Sequence, residues 1–188
     1  MKTRPFLAVA LLVAAFALPA HAQDATKKSA AVKPADPESK VVLDSWNEIG
    51  NKLIAMAEDF PEDKYDFKPT PAQRSFAEQL LHAAGANYFF TNPAMGKEPP
   101  AAEDPKRENY KTKAEVVAFV KKSVADGAAA IQSQGEKGLN STVPYGGQET
   151  RVLDIAYGMI EHSGEHYGQL VVYYRLSGLV PPESRPKK

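Results

Sequence analysis

The sequence predicts an all-α fold, a four-helix bundle. Four segments of this 188-residue chain carry apolar residues at the 3.6-residue spacing of a helix that is buried along one face. Three loops rich in proline or glycine separate them, and no stretch shows convincing β-alternation. Four such helices bury their apolar stripes most simply around one shared core. The loop after the first helix is long enough for a crossover, so the pattern leaves both up-and-down and one-crossover connections open.

The first helix is predicted from Glu38 to about Phe60. Either Asp36 or Ser39 could cap its start, and Pro61 ends it. Its stripe consists of Val41, Val42, Ser45, Ile49, Leu53, Ala57 and Phe60.

Residues 61–74 are predicted to form a loop. Pro69 and Pro71 prevent regular structure there, because proline lacks a backbone N–H donor. Tyr65 and Phe67 are large aromatic residues in this otherwise polar loop. We expect them to close one end of the core.

The second helix is predicted to begin at Ser75, which forms a capping-box pattern with Glu78. Pro93 is predicted to end it, and a polar loop over residues 94–111 follows. His82 lies on this helix beside its apolar stripe. The stripe consists of Phe76, Leu80, Ala83, Ala84, Asn87 and Phe90.

The third helix is predicted to begin at Thr112, which forms a second capping box with Glu115. A loop is expected over residues 135–147, in which residues 143–145 could form a short extended piece. The stripe of the helix consists of Val116, Val117, Phe119, Val120, Val124, Ala128 and Ile131.

The fourth helix is predicted from Thr150 or Arg151 to about Ser177, with Gly178 as its C-terminal cap. The apolar stripe and two histidines follow a 4-3-4-4-3 spacing. This set consists of Ile155, Met159, His162, His166, Leu170 and Tyr173.

Three histidines on two of these helices form a candidate metal site. His162 and His166 are four residues apart, so their rings leave one helix face about 6 Å apart along the axis. That spacing suits one ion held by two ring nitrogens, and His82 on a second inward face would add a third. Any one of them alone is better explained as a partly buried histidine with hydrogen-bond partners. Three inward imidazoles together favour a shared site with open positions for water or substrate.

The sequence around the last two histidines also matches H-x-x-E-H, an inverted zinc-peptidase signature. In that motif the intervening glutamate is the general base, and a later acidic residue is the third ligand. Only 22 residues follow His166, and their one acidic residue is Glu183, beyond the end of the helix. Glu165 should point about 100° away from His166. The peptidase interpretation is therefore disfavoured.

The N-terminus predicts export. Residues 1–22 combine a positive start, a short apolar run and a small-x-small pattern that ends at Ala22, which together indicate a cleaved signal peptide. The run is shorter than the ~20 residues of a membrane span, although an uncleaved anchor stays open. Residues 23–37 should be a disordered tether, 38–182 the bundle and 183–188 a disordered tail. We therefore expect a periplasmic or secreted protein.

Composition excludes several classes of function. The chain has no cysteine, so thiolate metal sites, a cysteine nucleophile and disulfides are absent. The net charge of the full chain is +0, and removal of Lys2 and Arg4 with the signal leaves about −2. A net charge this close to zero does not indicate a protein that binds nucleic acid. We also expect no stable membrane span after cleavage.

The chain resembles the DinB-like (damage-inducible) superfamily of metal-binding four-helix bundles. The likeness extends over about residues 40–182. Three stretches carry it: residues 60–70, residues 74–88, and residues 161–170 together with 173–175.

This resemblance implies a bundle with a long crossover, in which the second helix provides one metal ligand and the last helix two. His82, His162 and His166 match those positions. The implied cofactor is a divalent metal ion, nickel or zinc, with water completing its shell, and a homodimer is a further expectation. Some relatives transfer low-molecular-weight thiols in the cytosol. Export of this chain argues against that role.

The expected function is metal-dependent chemistry on a small molecule, by a hydrolase or a transferase. No general base is identified, since Glu161 and Glu165 are expected at the surface or behind the ligands. The alternative is a non-catalytic metal- or ligand-binding module whose open bundle end is lined by Tyr65, Phe67 and Tyr145. A purely structural metal would need a fourth protein ligand, and no obvious one is present.

Overall fold

The computed structural model describes residues 37–101 and 104–186. The predicted signal peptide, nearly all of the predicted tether and the last two residues of the predicted tail lie outside these residues. No helix in the described part is long and apolar enough to cross a membrane. The elements are α1 (Glu38–Asp59), α2 (Phe76–Ala94), α3 (Lys113–Leu139), β1 (Thr142–Tyr145), β2 (Gln148–Arg151) and α4 (Val152–Leu176), with short 3₁₀ turns at Glu62–Lys64, Arg107–Asn109 and Pro182–Ser184.

The helix starts follow their local capping chemistry. Both predicted capping boxes are present, at Ser75 before α2 and at Thr112 before α3. The start of α1 differs, because Pro37 occupies the N-cap position without a side-chain hydrogen bond. Ser39 lies inside the first turn, where its backbone N–H donates to Glu136 of α3. Asp36 lies outside the described residues.

The helix directions place the crossover between α2 and α3. α2 and α3 run parallel, since Ser123 bonds Ala84 near their middles and Gln134 bonds Ala94 towards their ends. α1 is antiparallel to α3, and α2 is antiparallel to α4. The connection from residue 95 to residue 112 must therefore return along the length of the bundle. The sequence pattern leaves the type of connection open, and shows only that the loop after the first helix is long enough for a crossover.

Around the bundle, α1 and α2 each pack against both α3 and α4. Consecutive helices α1 and α2 therefore occupy opposite corners, and residues 60–75 cross one end of the bundle between them. At this end, Phe60 stacks on Phe76 with ring centroids 3.8 Å apart. Tyr65 is buried beside them, and Phe67 packs edge-on against Tyr173. The prediction that Tyr65 and Phe67 close one end of the core is confirmed.

The connection between α3 and α4 contains a β-hairpin. The predicted extended piece over residues 143–145 is confirmed as part of β1, but its pairing with a second strand was not predicted. α3 continues to Leu139 beyond a kink at Gly135, where φ is 54°. β1 and β2 then pair antiparallel, with Tyr145 opposite Gln148. The turn residues Gly146 and Gly147 both have positive φ, which favours glycine and suits a tight two-residue hairpin. Strands of four residues are too short to show a reliable alternation.

A candidate metal centre between α2 and α4

The structure brings the three predicted histidines together midway along the α2–α4 interface. One ligand atom from each of His82, His162 and His166 can be chosen so that all lie within 4.8 Å of one another. His82 is 6% exposed and His166 is 7% exposed, while His162 is half-buried. The antiparallel packing of α2 on α4 places His82 opposite the two histidines that one helical turn separates.

The spacing of two ring nitrogens fits one shared ion. The Nε2 atoms of His162 and His166 lie 2.9 Å apart. Two imidazole nitrogens about 2.1 Å from one ion and about 90° apart would be separated by about 3.0 Å. Neutral imidazoles suit zinc, copper, iron and nickel. The three histidines could therefore hold a metal ion, and the identity of that ion is a separate question.

Burial keeps two of these rings in the neutral form that binds metals. Burial, together with the nearby His166, His82 and Arg74, lowers the pKa of His162 to about 4. Burial also lowers the pKa of His166, and Gln169 partly opposes this effect through a hydrogen bond. Both rings are therefore ready to accept a metal ion at neutral pH without first losing a proton.

His82 is oriented by Asp104, which lies on the crossover connection. The Nδ1 atom of His82 is hydrogen-bonded to Oδ1 of Asp104. Nε and Nη2 of Arg74 both donate to Oδ2 of the same carboxylate, at 3.3 and 3.0 Å. Burial acts to raise the pKa of Asp104, but the contacts with His82 and Arg74 outweigh it and lower the pKa. A carboxylate that accepts from Nδ1–H leaves the Nε2 lone pair of His82 free for an ion.

His166 is oriented by Gln169, which is held in turn by Gln79. Its Nδ1 atom lies 3.0 Å from Oε1 of Gln169 and also contacts Nε2 of Gln79. Nε2 of Gln79 donates to Oε1 of Gln169 at 2.6 Å, which ties α2 to α4. With Nδ1–H donating to Gln169, the Nε2 lone pair of His166 faces His162. Gln79 is 3% exposed, whereas Gln169 is exposed, so solvent reaches this arrangement from the side of α4.

His162 lacks a comparable partner, since its Nδ1 atom is buried without a hydrogen bond to any described residue. Its ring instead lies against Phe90, with centroids 5.7 Å apart. Behind it, Ser163 contacts Asn87, and Asn87 donates to Ser123 at 2.8 Å. This buried polar cluster links α2, α3 and α4 directly beneath the histidines.

Other residues named from the sequence are placed elsewhere. Glu161 and Glu165 are exposed, as expected for residues that are not ligands. Tyr65 and Phe67 belong to the aromatic end of the core, whereas Tyr145 stacks near Phe90 on the hairpin. The open bundle end that these three aromatics were expected to line is therefore not formed. Chain direction explains the difference, because the hairpin joins α4 at the opposite end.

The residues behind the ligands were not predicted from the sequence. Gln79 precedes His82 by three positions and Gln169 follows His166 by three, so helical spacing could have identified both. Asp104 has no such signal. It lies in a proline-rich connection, and only the path of that connection places it beside His82.

Comparison with known proteins agrees with this architecture. The sequence model of the DinB superfamily matches residues 46–170. A DinB-like protein from Bacillus cereus ATCC 10987 is 18% identical with a TM-score of 0.65, over 76% of this chain and 95% of that chain. A DinB-like protein from Bacillus subtilis is 18% identical with a TM-score of 0.59, over 78% of this chain and 99% of that chain.

At 18% identity, the two solved structures show that the fold is shared, and they carry no information about activity or ligands. No curated protein matches the chain. The family match spans the helices that carry all three histidines, from within α1 to within α4. The chain belongs to the DinB superfamily.

Proposed function

We propose that His82, His162 and His166 bind one divalent metal ion and that the loaded centre acts on a small molecule, as a hydrolase or a transferase. The observation that carries this proposal is the convergence of ring nitrogens. The Nε2 atoms of His162 and His166 lie 2.9 Å apart, while Nδ1 of His82 and Nδ1 of His166 are occupied by Asp104 and Gln169, respectively. Metal-binding histidines typically have this arrangement, with the outer nitrogen hydrogen-bonded.

The donor set supports a catalytic rather than a structural ion. Three neutral nitrogens leave positions open, whereas structural zinc sites usually have four protein ligands. An ion in such a site can polarise a bound carbonyl or lower the pKa of a bound water or thiol. The residues behind the ligands fix their orientation: Asp104 holds His82, and Gln169, itself bonded to Gln79, holds His166. Imidazole donors are compatible with nickel or zinc, the two ions that we propose.

Metal analysis of protein purified without a histidine tag tests the site. We expect about one equivalent of nickel or zinc in the wild type and almost none in a His162→Ala, His166→Ala double variant. A Glu161→Gln, Glu165→Gln variant is the matched control, because both residues are exposed on the same helix. It should retain the wild-type metal content. Equal metal in the wild type and the histidine variant would refute the proposal.

A turnover screen with esters, amides and thiols tests the catalytic part. We expect turnover that chelation abolishes and that the added ion restores. Metal binding without turnover of any class would favour the non-catalytic binding module instead. A thermal melt after chelation addresses the structural alternative, which predicts a large loss of stability.

We further propose that the protein works outside the cytoplasm. This rests on residues 1–22, whose charged start, apolar run and Ala20-His21-Ala22 pattern are typical of a signal peptide. Mass spectrometry of the protein from cell fractions should find an exported form that begins at Gln23. A full-length chain confined to the cytoplasm would contradict this proposal.

A further inference from the structure

A groove lined by both polar and apolar side chains adjoins the histidines on the side of His166. It has a volume of about 440 Å³. Gln79 and Gln169, which contact Nδ1 of His166, form part of its wall. A molecule in this groove would therefore lie one side chain away from the candidate metal centre. The wall consists of Ala72, Gln73, Arg74, Gln79, Gln169, Val172 and Tyr173.

Arg74 gives the groove its charge. Among the described residues that line it, Arg74 is the one with a formal charge. A guanidinium has two edges that can each hold a carboxylate with paired N–H groups. Asp104 uses the edge formed by Nε and Nη2. The edge formed by Nη1 and the second Nη2 hydrogen has no hydrogen-bond partner among the described residues, and the side chain is 41% exposed.

The glutamine pair adds one donor and one acceptor. Nε2 of Gln79 donates to Oε1 of Gln169, which leaves the carbonyl of Gln79 and the amide N–H₂ of Gln169 without further partners in the described structure. If both amides were turned over, one carbonyl and one N–H₂ would still remain. A secondary amide on a ligand has the complementary set, one N–H and one C=O.

Charge also favours an anion. Asp104, the acidic residue that contacts His82, is already paired with Arg74. Val172, which is 49% exposed, adds an apolar wall suited to a short aliphatic group.

We propose that this groove binds a small carboxylate with a neighbouring amide, such as an N-acylated amino acid or a dipeptide. The carboxylate is held by the free edge of Arg74, and the amide by Gln79 and Gln169. The role of the bound molecule as a substrate of the metal centre rests on the proposed function. The binding itself does not require a metal ion.

The probe is N-acetylglycine, and its methyl ester is the neutral control. Each compound is first titrated into the chelator-treated full chain. Binding is monitored by the NMR signals of the glutamine side-chain amides. We expect saturable shifts of the Gln79 and Gln169 signals with the acid and none with the ester. Gln169→Glu, at an exposed position, should weaken binding of the acid about tenfold or more, because it places a carboxylate beside Arg74. Arg74→Lys should also weaken binding of the acid, since lysine keeps the positive charge but lacks the paired N–H groups of the guanidinium.

The matched control is Lys106→Glu, in the neighbouring groove that Arg74 also lines. It should leave the affinity unchanged. Equal binding of acid and ester, or loss of binding with Lys106→Glu but not with Gln169→Glu, would overturn the assignment. Binding that requires added zinc and is insensitive to Gln169→Glu would also overturn it, and would place the carboxylate on the ion. Whether the three histidines bind a metal ion is tested separately, by measuring the metal content of the purified protein.

Discussion

The Nε2 atoms of His162 and His166 lie 2.9 Å apart, across one turn of α4. Two neutral imidazoles at this distance can form a hydrogen bond, in which the Nε2–H of one ring donates to the Nε2 lone pair of the other. The same distance also suits two nitrogens on one metal ion, which only neutral rings can bind. The pKa of His162, lowered to about 4, keeps its ring in this neutral form near pH 7.

Asp104→Asn should weaken metal binding about 10- to 100-fold, because the orientation of His82 then loses its carboxylate partner. Competition with a chromophoric chelator measures the affinity. Asp66→Asn is the control, since Asp66 pairs with Arg107 of the same connection and contacts no histidine in the described part of the chain. An unchanged affinity in Asp104→Asn would show that this hydrogen bond does not support the site.

Acid should destabilise the metal-free fold through His162. The pKa of this residue is about 4 in the folded protein and near 6.5 in the unfolded chain, so the unfolded chain binds the proton first. The contribution to stability is complete above pH 6.5 and is lost as the pH falls towards 4. The free energy of unfolding, measured with urea at pH 7.5 and at pH 5, should differ by on the order of 1 kcal/mol because of this residue. His162→Ala should reduce the pH dependence, and an unaltered slope would contradict the assignment.

Gly127→Ala should destabilise the bundle by about 2 kcal/mol or more, because overpacking forces a shift in a filled core. A Cβ atom at this position would lie 2.6 Å from the buried ring of Trp46, which is fixed by its hydrogen bond to Val124. Gly168→Ala is the control on a helix face with no atom within 4 Å of the added Cβ. It should stabilise the fold by about 0.5–1 kcal/mol through helix propensity. Thermal or urea unfolding would measure both, and equal effects would refute the packing argument.

Asn87→Ala should cost about 1–3 kcal/mol, because it removes the residue that joins Ser123 to Ser163 in the buried cluster. The effects of Asn87→Ala and Ser123→Ala should be less than additive in a double-mutant cycle. Urea unfolding of the two single variants and the double variant supplies the cycle. Strict additivity would show that the two side chains do not act as one network.

The sequence by itself determined the four helices and the faces that carry the histidines. Ser75 and Thr112 mark two helix starts through contacts three residues away, which are local and readable from the chain. The four-residue spacing of His162 and His166 likewise guarantees one shared face. His82 could be placed on a second inward face, since helical periodicity relates each residue to its own stripe.

Only the tertiary structure decided what surrounds those histidines. Asp104 reaches His82 because α2 and α3 run parallel and their connection returns along the bundle. Gln79 meets Gln169 across 90 residues of sequence, through the pairing of α2 with α4. The sequence indicated the extended piece over residues 143–145 but not its pairing in a hairpin, since the two strands are only four residues long. Periodicity encodes which face of a helix is buried, but the partner of that face depends on helix order and direction, which the local pattern does not specify.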